Sequence, residues 1–326
     1  QPFLLLLFYL LVICTFIFGE MSYGQGVPDR DYTIAVTLLN EDEYDAAESK
    51  FSLIIQKGDL NNPKAVPYII NSYYGRASSR IEQGRKFRLD KKLREALDKY
   101  NQAYDDLFTF KNKFEELQDT LKTNPSLYEE MEKHFMVISE QIVQLAGEAG
   151  DIAFSQSQYD SAVGWYDKGL QFITPQSDEY AKLIYAKADA SFQLGRYQEA
   201  LRLLSKFENE LPQSNLTVKA MFYAGDVYKL MAESATSPVE KNRYLEKAVE
   251  SYGRVVSVQE YITDPSSLEL PKIALLEKAR CEKQLGQMEK ALVDFKTIMA
   301  NYPNTRYEVD SALEIGDYAF NAKQFN

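Results

Sequence analysis

Apolar residues recur at helical spacing through most of the chain. Leu107, Phe110, Phe114, Leu117 and Leu121 advance by three or four positions, Asn124 and Pro125 interrupt them, and Leu127, Met131, Phe135, Ile138 and Ile142 resume the series. No stretch alternates apolar and polar residues convincingly, so the pattern predicts an all-α chain with little or no strand.

A second regularity lies on top of the first. A small residue is followed twelve positions later by alanine at Ala35 and Ala47, Gly150 and Ala162, Ala188 and Ala200, and Ala279 and Ala291. Gly75 to Ala96 and Gly225 to Ala248 read as stretched versions of the same interval. Four residues after each alanine stands a ring or a large aliphatic: Phe51, Tyr100, Tyr166, Leu204, Tyr252 and Phe295. Positions four apart share a helix face, so alanine and ring point into one seam between two antiparallel helices. Gln156, Gly195 and Gly286 fall in the expected turns, and Pro212 and Pro303 end second helices twelve residues after Ala200 and Ala291. Successive alanines are 49, 66, 38, 48 and 43 residues apart. The spacing predicts insertions at Glu82 to Arg94 and at Met231 to Glu246. The longest interval is read as holding a degenerate helix pair without signature residues.

These units resemble tetratricopeptide repeats. The resemblance rests on Ala188, Gly195, Tyr197, Ala200, Leu204 and Pro212, and on Ala279, Gly286, Ala291, Phe295 and Pro303, with Met288 where tyrosine is usual. It implies a right-handed superhelical solenoid of antiparallel helix pairs, a fold that binds more often than it catalyses. The expected organisation is a signal peptide or membrane anchor over 1–24, repeats over 25–106, the degenerate pair over 107–142, and repeats over 143–326. The last repeat is read as truncated, because the alanine twelve residues after Gly316 would fall at position 328.

The run from Pro2 to Phe18 is mostly apolar, with Thr15 its one polar residue, and Ser22 and Gly24 supply small residues for cleavage after Gly24. A cleaved signal is favoured over an uncleaved anchor. Cys14 invites a lipoprotein reading, which the bulky Val12 and Ile13 oppose. The chain starts at Gln1 without methionine or a cationic leader and is read as a fragment. Its net charge of −11 opposes binding to nucleic acid. The basic stretch holding Arg85, Lys86, Arg88, Lys91, Lys92 and Arg94 is read as a solvated helix face, with contact to anionic lipid as the alternative. With the signal removed only Cys281 remains, so no internal disulfide is possible and the fold must rest on packing.

No catalytic or metal-binding constellation is legible, and no cofactor is expected. The single histidine, His134, cannot hold a metal alone, and no glycine-rich phosphate loop or nucleophile elbow occurs. Trp165 is expected to pack between repeats. What stands out is the residue after each small position. Gly150-Asp151, Ala188-Asp189 and Gly316-Asp317 are followed three residues later by Phe154, Phe192 and Phe320. Gly225-Asp226 keeps the acid, whereas Ala279-Arg280, with Lys283 beyond, reverses the charge. In the family this resembles, first helices line the concave surface. The resemblance therefore places Asp151, Phe154, Asp189, Phe192, Asp226, Arg280, Lys283, Asp317 and Phe320 along one groove. Two readings stay open: packing and capping between repeats, or a groove for a partner segment that carries basic residues between apolar anchors.

The stretch from Tyr302-Pro303-Asn304 through Arg306, Tyr307 and Ala312 to Ile315-Gly316-Asp317 is similar to the repeat junctions of exported Gram-negative envelope proteins. Those proteins act in outer-membrane assembly or beside the Tol-Pal system. The resemblance implies a non-enzymatic periplasmic or outer-membrane-associated scaffold with protein or peptide partners. Membrane association would come only through the N-terminal segment, and no nucleic acid or small-molecule cofactor is expected. The alternative is the sensor region of a longer signalling protein.

Overall fold

A computed structural model describes residues 27–118 and 125–321. The expected signal segment, Cys14, Leu121, Asn124 and the truncated end past Asn321 lie outside the described residues, as do the side chains of Leu127, Met131 and His134. Among the described residues the secondary structure is helical, without strand. The helices are α1 (Val27–Asn40), α2 (Tyr44–Lys57), α3 (Val66–Leu89), α4 (Leu93–Glu116), α5 (Pro125–Ser155), α6 (Tyr159–Leu170), α7 (Asp178–Gln193), α8 (Tyr197–Asn209), α9 (Thr217–Ser234), α10 (Pro238–Ser257), α11 (Leu270–Gln284), α12 (Met288–Asn301) and α13 (Arg306–Asn321). None of these helices is long and apolar enough to cross a membrane.

Odd and even helices pair as hairpins, and each even helix also packs against the next odd one. Consecutive odd helices touch each other more closely than consecutive even helices do. The odd, first helices therefore lie on the tighter, inner side of a superhelical solenoid. The core is one seam running along the stack. Ala47, Ala96, Ala162, Ala200, Ala248 and Ala291 are fully buried, as are the rings of Phe51, Tyr100, Tyr252 and Phe295. Closeness explains the small partners: a Cβ on Gly150 or Gly225 would stand less than 3.0 Å from the ring of Tyr166 or Tyr252.

The second unit is phased differently from the expectation. Gly84, twelve residues before Ala96, takes the small position, and its missing Cβ makes room for the Tyr100 ring. Gly75 instead faces the ring of Phe51 in the preceding pair. The basic stretch Glu82 to Arg94 is thus the ordinary elbow between α3 and α4 and not an insertion. The extra length lies at the opposite end, where α3 begins eighteen residues before Gly84. The stretched interval from Gly225 to Ala248 is as expected, with α9 and α10 both prolonged around their elbow.

Every elbow but the one between α9 and α10 shares one backbone device. Asp42, Lys91, Ser157, Gly195 and Gly286, each five residues before its alanine, have φ of 61°, 60°, 58°, 73° and 75°. The next amide then reaches back to a carbonyl five residues earlier, as Arg196 N–H does to Ser191 O at 2.9 Å and Gln158 N–H to Ala153 O at 2.9 Å. This is the helix-ending arrangement that favours glycine. At the α5–α6 elbow Ser157 adopts it, beside the expected Gln156.

Among the described residues, 107–142 form no helix pair of their own: the two apolar runs expected to make one are extensions of neighbouring helices. Residues 107–116 prolong α4, and 125–142 lead without a break into the Gly150 segment of α5. Buried Leu107, Phe110 and Phe114 meet Ile138 and Ile142 there, with Phe114 stacked on Phe135 at 4.9 Å. Trp165 is buried and meets Tyr104 edge-on at 5.8 Å. Cys281 is buried and free, and desolvation pushes its thiol up to about 12.

Candidate partner-binding face

Three positions on the first helices from α3 onward look toward a neighbouring first helix: the residue two before the small residue toward the preceding one, and the residues one and four after it toward the next one. They connect in a repeating way. Arg85, one after Gly84, reaches Glu148, two before Gly150, at 3.1 Å, and Arg88 approaches the same carboxylate at 3.7 Å. Tyr223, two before Gly225, donates its hydroxyl to Asp189 at 2.7 Å and meets Phe192 edge-on at 5.4 Å. Lys229 pairs with Glu277 at 2.5 Å. Arg280 and Lys283 both pair with Glu314, at 3.0 and 2.7 Å. Residues one and four after a small position thus contact the residue two before the next one, forming a rung between neighbouring first helices.

Four of the nine predicted groove residues are members of these rungs. Asp189, Phe192, Arg280 and Lys283 join adjacent repeats. Asp226 accepts the Tyr252 hydroxyl at 2.6 Å, within its own hairpin. Burial pushes the Asp226 carboxyl upward, against the lowering effect of Tyr252 and Lys229. Burial also raises the Tyr252 hydroxyl, and the Asp226 charge adds to it. Tyr185, beside the same row, is held up at about 12, by burial first and by Asp189 and Asp226 second. Glu277 and Glu314 both lie below the usual carboxylate range. Burial would raise them, and the hydrogen bonds from Lys229, Arg280 and Lys283 outweigh it.

Asp151 and Phe154 differ from the rest. The residue across from them, two before Ala188, is Ala186, which carries neither charge nor ring. Asp151 is exposed, accepts the Tyr166 hydroxyl at 2.9 Å, and forms no ion pair. Phe154 meets Tyr159 of its own elbow at 5.2 Å and stays half-exposed. The rung between α5 and α7 is therefore open. At the far end Asp317 and Phe320 are exposed on α13, Phe320 at 69 %.

Sequence reasoning missed a second polar cluster where α2, α3 and α4 meet. Arg76 grips Asp106 with two bonds of 2.6 and 2.9 Å. Arg80 bridges Asp106 and Glu48 at 2.7 and 2.8 Å, and Lys99 reaches Glu48 at 2.8 Å. Burial alone would raise Glu48, but the bonds from Lys99 and Arg80 win and hold it at about 2. The partners are 26 to 51 positions apart in sequence, so no local motif announces them. No group of metal-ligating side chains occurs among the described residues.

Stacked hairpins with an alanine-and-ring seam are the architecture of a tetratricopeptide-like helical-repeat fold, and the described residues have it. Residues 177–318 match the family described as YfiO, outer membrane lipoprotein. Solved structures similar to the chain include a MamA protein, 16% identical over 70% of this chain and 96% of that one, with a TM-score of 0.43. Another is the C-terminal part of a repeat-containing protein from Cytophaga hutchinsonii, 18% identical over 86% of this chain and 98% of that one, TM-score 0.37. A third is a tetratricopeptide repeat protein from Parabacteroides merdae, 16% identical over 88% of this chain and 98% of that one, TM-score 0.32. Comparison with the curated proteins gives no match.

Proposed function

We propose that the chain is a non-catalytic scaffold of the bacterial cell envelope that binds segments of partner proteins along its inner face. The observation that carries this reading is the line of first-helix side chains facing inward. Between α3 and α5, α7 and α9, α9 and α11, and α11 and α13 they are consumed by bonds to one another, whereas between α5 and α7 Asp151 and Phe154 stand open. A self-paired face with one open rung suits an extended or helical segment held by a few anchors. The apolar run over Pro2 to Phe18 and the match of residues 177–318 to an outer membrane lipoprotein family support a periplasmic or outer-membrane-associated place.

The experiment is capture of partners from envelope extract by the wild-type chain and by Asp151→Lys. Circular dichroism melts of both proteins run in parallel. Asp151→Lys also removes the acceptor of the Tyr166 hydroxyl and should cost about 1–2 kcal/mol, while captured partners, measured well below both melting temperatures, fall several-fold. Equal capture by both proteins, or a fall in capture that only tracks a fall in melting temperature, contradicts the reading.

A further inference from the structure

The open rung between α5 and α7 has a filled counterpart one repeat further on. Asp151 and Phe154 follow Gly150 at the same one and four positions at which Asp189 and Phe192 follow Ala188. Across from the second pair stands Tyr223. Its hydroxyl lies 2.7 Å from Asp189 and its ring centre lies 5.4 Å from that of Phe192, edge-on. Across from the first pair stands Ala186 at the equivalent position. One carboxylate oxygen of Asp151 accepts from Tyr166 of its own hairpin, and the other has no donor among the described residues. The same acid and ring are thus presented twice, once with a phenol from the next first helix seated on them and once with that place empty.

We propose that the rung between α5 and α7 is a subsite for a tyrosine side chain of the bound partner. The phenol hydroxyl donates to Asp151, the ring lies against Phe154, and the Ala186 methyl forms the floor. This rests on the inner face being the partner-binding face, and it names the anchor that the face selects. A hydrogen bond to a charged acceptor is stronger than one between neutral groups, and an edge-to-face ring pair adds to it. A lysine or arginine would satisfy the carboxylate alone. In the rungs of this chain cations face Glu148, Glu277 and Glu314, glutamates two before a small residue, and among the described residues no ion pair reaches the aspartates one after it, Asp151, Asp189 and Asp226. The chain itself answers aspartate plus phenylalanine with tyrosine.

The subsite is tested on the intact chain by following the Ala186 methyl signal by NMR during titration with N-acetyl-tyrosinamide, N-acetyl-phenylalaninamide and N-acetyl-lysinamide. The expected result is a saturable shift with the tyrosine probe and about ten-fold weaker binding of the phenylalanine probe, as the loss of one hydrogen bond to a charged group implies. Asp151→Asn, which keeps an acceptor for Tyr166, should weaken the tyrosine probe by a similar factor. Ala186→Tyr should fill the rung from within and abolish the shift produced by the probe at Asp151, read there from the Phe154 ring signals. Equal binding of the phenylalanine probe, tighter binding of the lysine probe, or no shift with any probe overturns the subsite. Partner capture with Ala186→Tyr separates the two levels. Capture that persists while Asp151→Lys abolishes it overturns the tyrosine anchor and leaves the inner face as the binding face. Capture that Asp151→Lys does not change overturns the face itself.

Discussion

The Tyr223 hydroxyl on α9 donates to the Asp189 carboxylate on α7 at 2.7 Å, joining two consecutive first helices across a repeat boundary. Burial raises the Tyr223 hydroxyl well above its ordinary value, and the bond to Asp189 raises it further. The pair forms here because Leu204, at the seam position that holds Tyr166 or Tyr252 elsewhere, has no hydroxyl to give Asp189. Tyr223→Phe should cost about 1–2 kcal/mol by removing the donor from a half-buried carboxylate. In a stack of repeats that loss is local, so amide hydrogen exchange should quicken in α7 and α9 and stay unchanged in α1 to α3.

Two glycines in one hairpin should respond with opposite signs. Gly150 lies under the Tyr166 ring, so Gly150→Ala forces a Cβ against it and should destabilise by about 1–3 kcal/mol. Gly164, on the exposed side of α6, has nothing within 4 Å of where a Cβ would stand. Gly164→Ala should stabilise by about 0.5–1 kcal/mol, because alanine costs less backbone entropy in a helix. Thermal melts of the two variants check the pair, and the same sign for both would contradict the seam geometry.

The cluster of Glu48, Arg80 and Lys99 should give the N-terminal pairs an acid sensitivity. Glu48 is depressed from 4.5 to about 2, so its contribution is complete above about 4.5 and is lost as the pH falls toward about 2. The contribution is about 1–2 kcal/mol once screening by nearby water is allowed for. Glu48→Gln should therefore lower the melting temperature at pH 7 and converge with wild type near pH 2. A constant difference between the two across that range would contradict the assignment.

The pairs at the far end should behave as a charge-coupled unit. Arg280→Glu sets one new carboxylate against both Glu314 and Glu277, where pairs of 3.0 and 2.8 Å now stand. Adding Glu314→Arg should recover part of the loss, giving a coupling on the order of 1 kcal/mol in a double-mutant cycle. Additive effects of the two substitutions would show that the rung contributes nothing to the stack.

The seam was legible in the sequence because each seam residue repeats in phase and is dictated by close packing. Alanine, the ring four residues on, and the left-handed elbow five residues before the alanine are all local. Gly84 and Gly75 are both small, and only the three-dimensional phase tells which glycine faces Tyr100 and which faces Phe51. The residues after the small positions were legible as a row, but their partners were not. Whether Asp189 meets solvent or Tyr223 depends on a side chain 34 positions away. The Arg76, Asp106, Arg80 and Glu48 cluster was invisible for the same reason. Its members come from three helices and share no repeat position.

The most direct measurement places a photo-crosslinking amino acid at single positions and exposes cells to light. Lys182 on the inner first helix α7 and Ser161 on the outer second helix α6 are both exposed and serve as the two sites. Binding along the inner face predicts discrete protein adducts from position 182 and none from 161, with the adducts at 182 reduced by Asp151→Lys. Adducts from 161 alone, or adducts at 182 that are indifferent to Asp151→Lys, would contradict it.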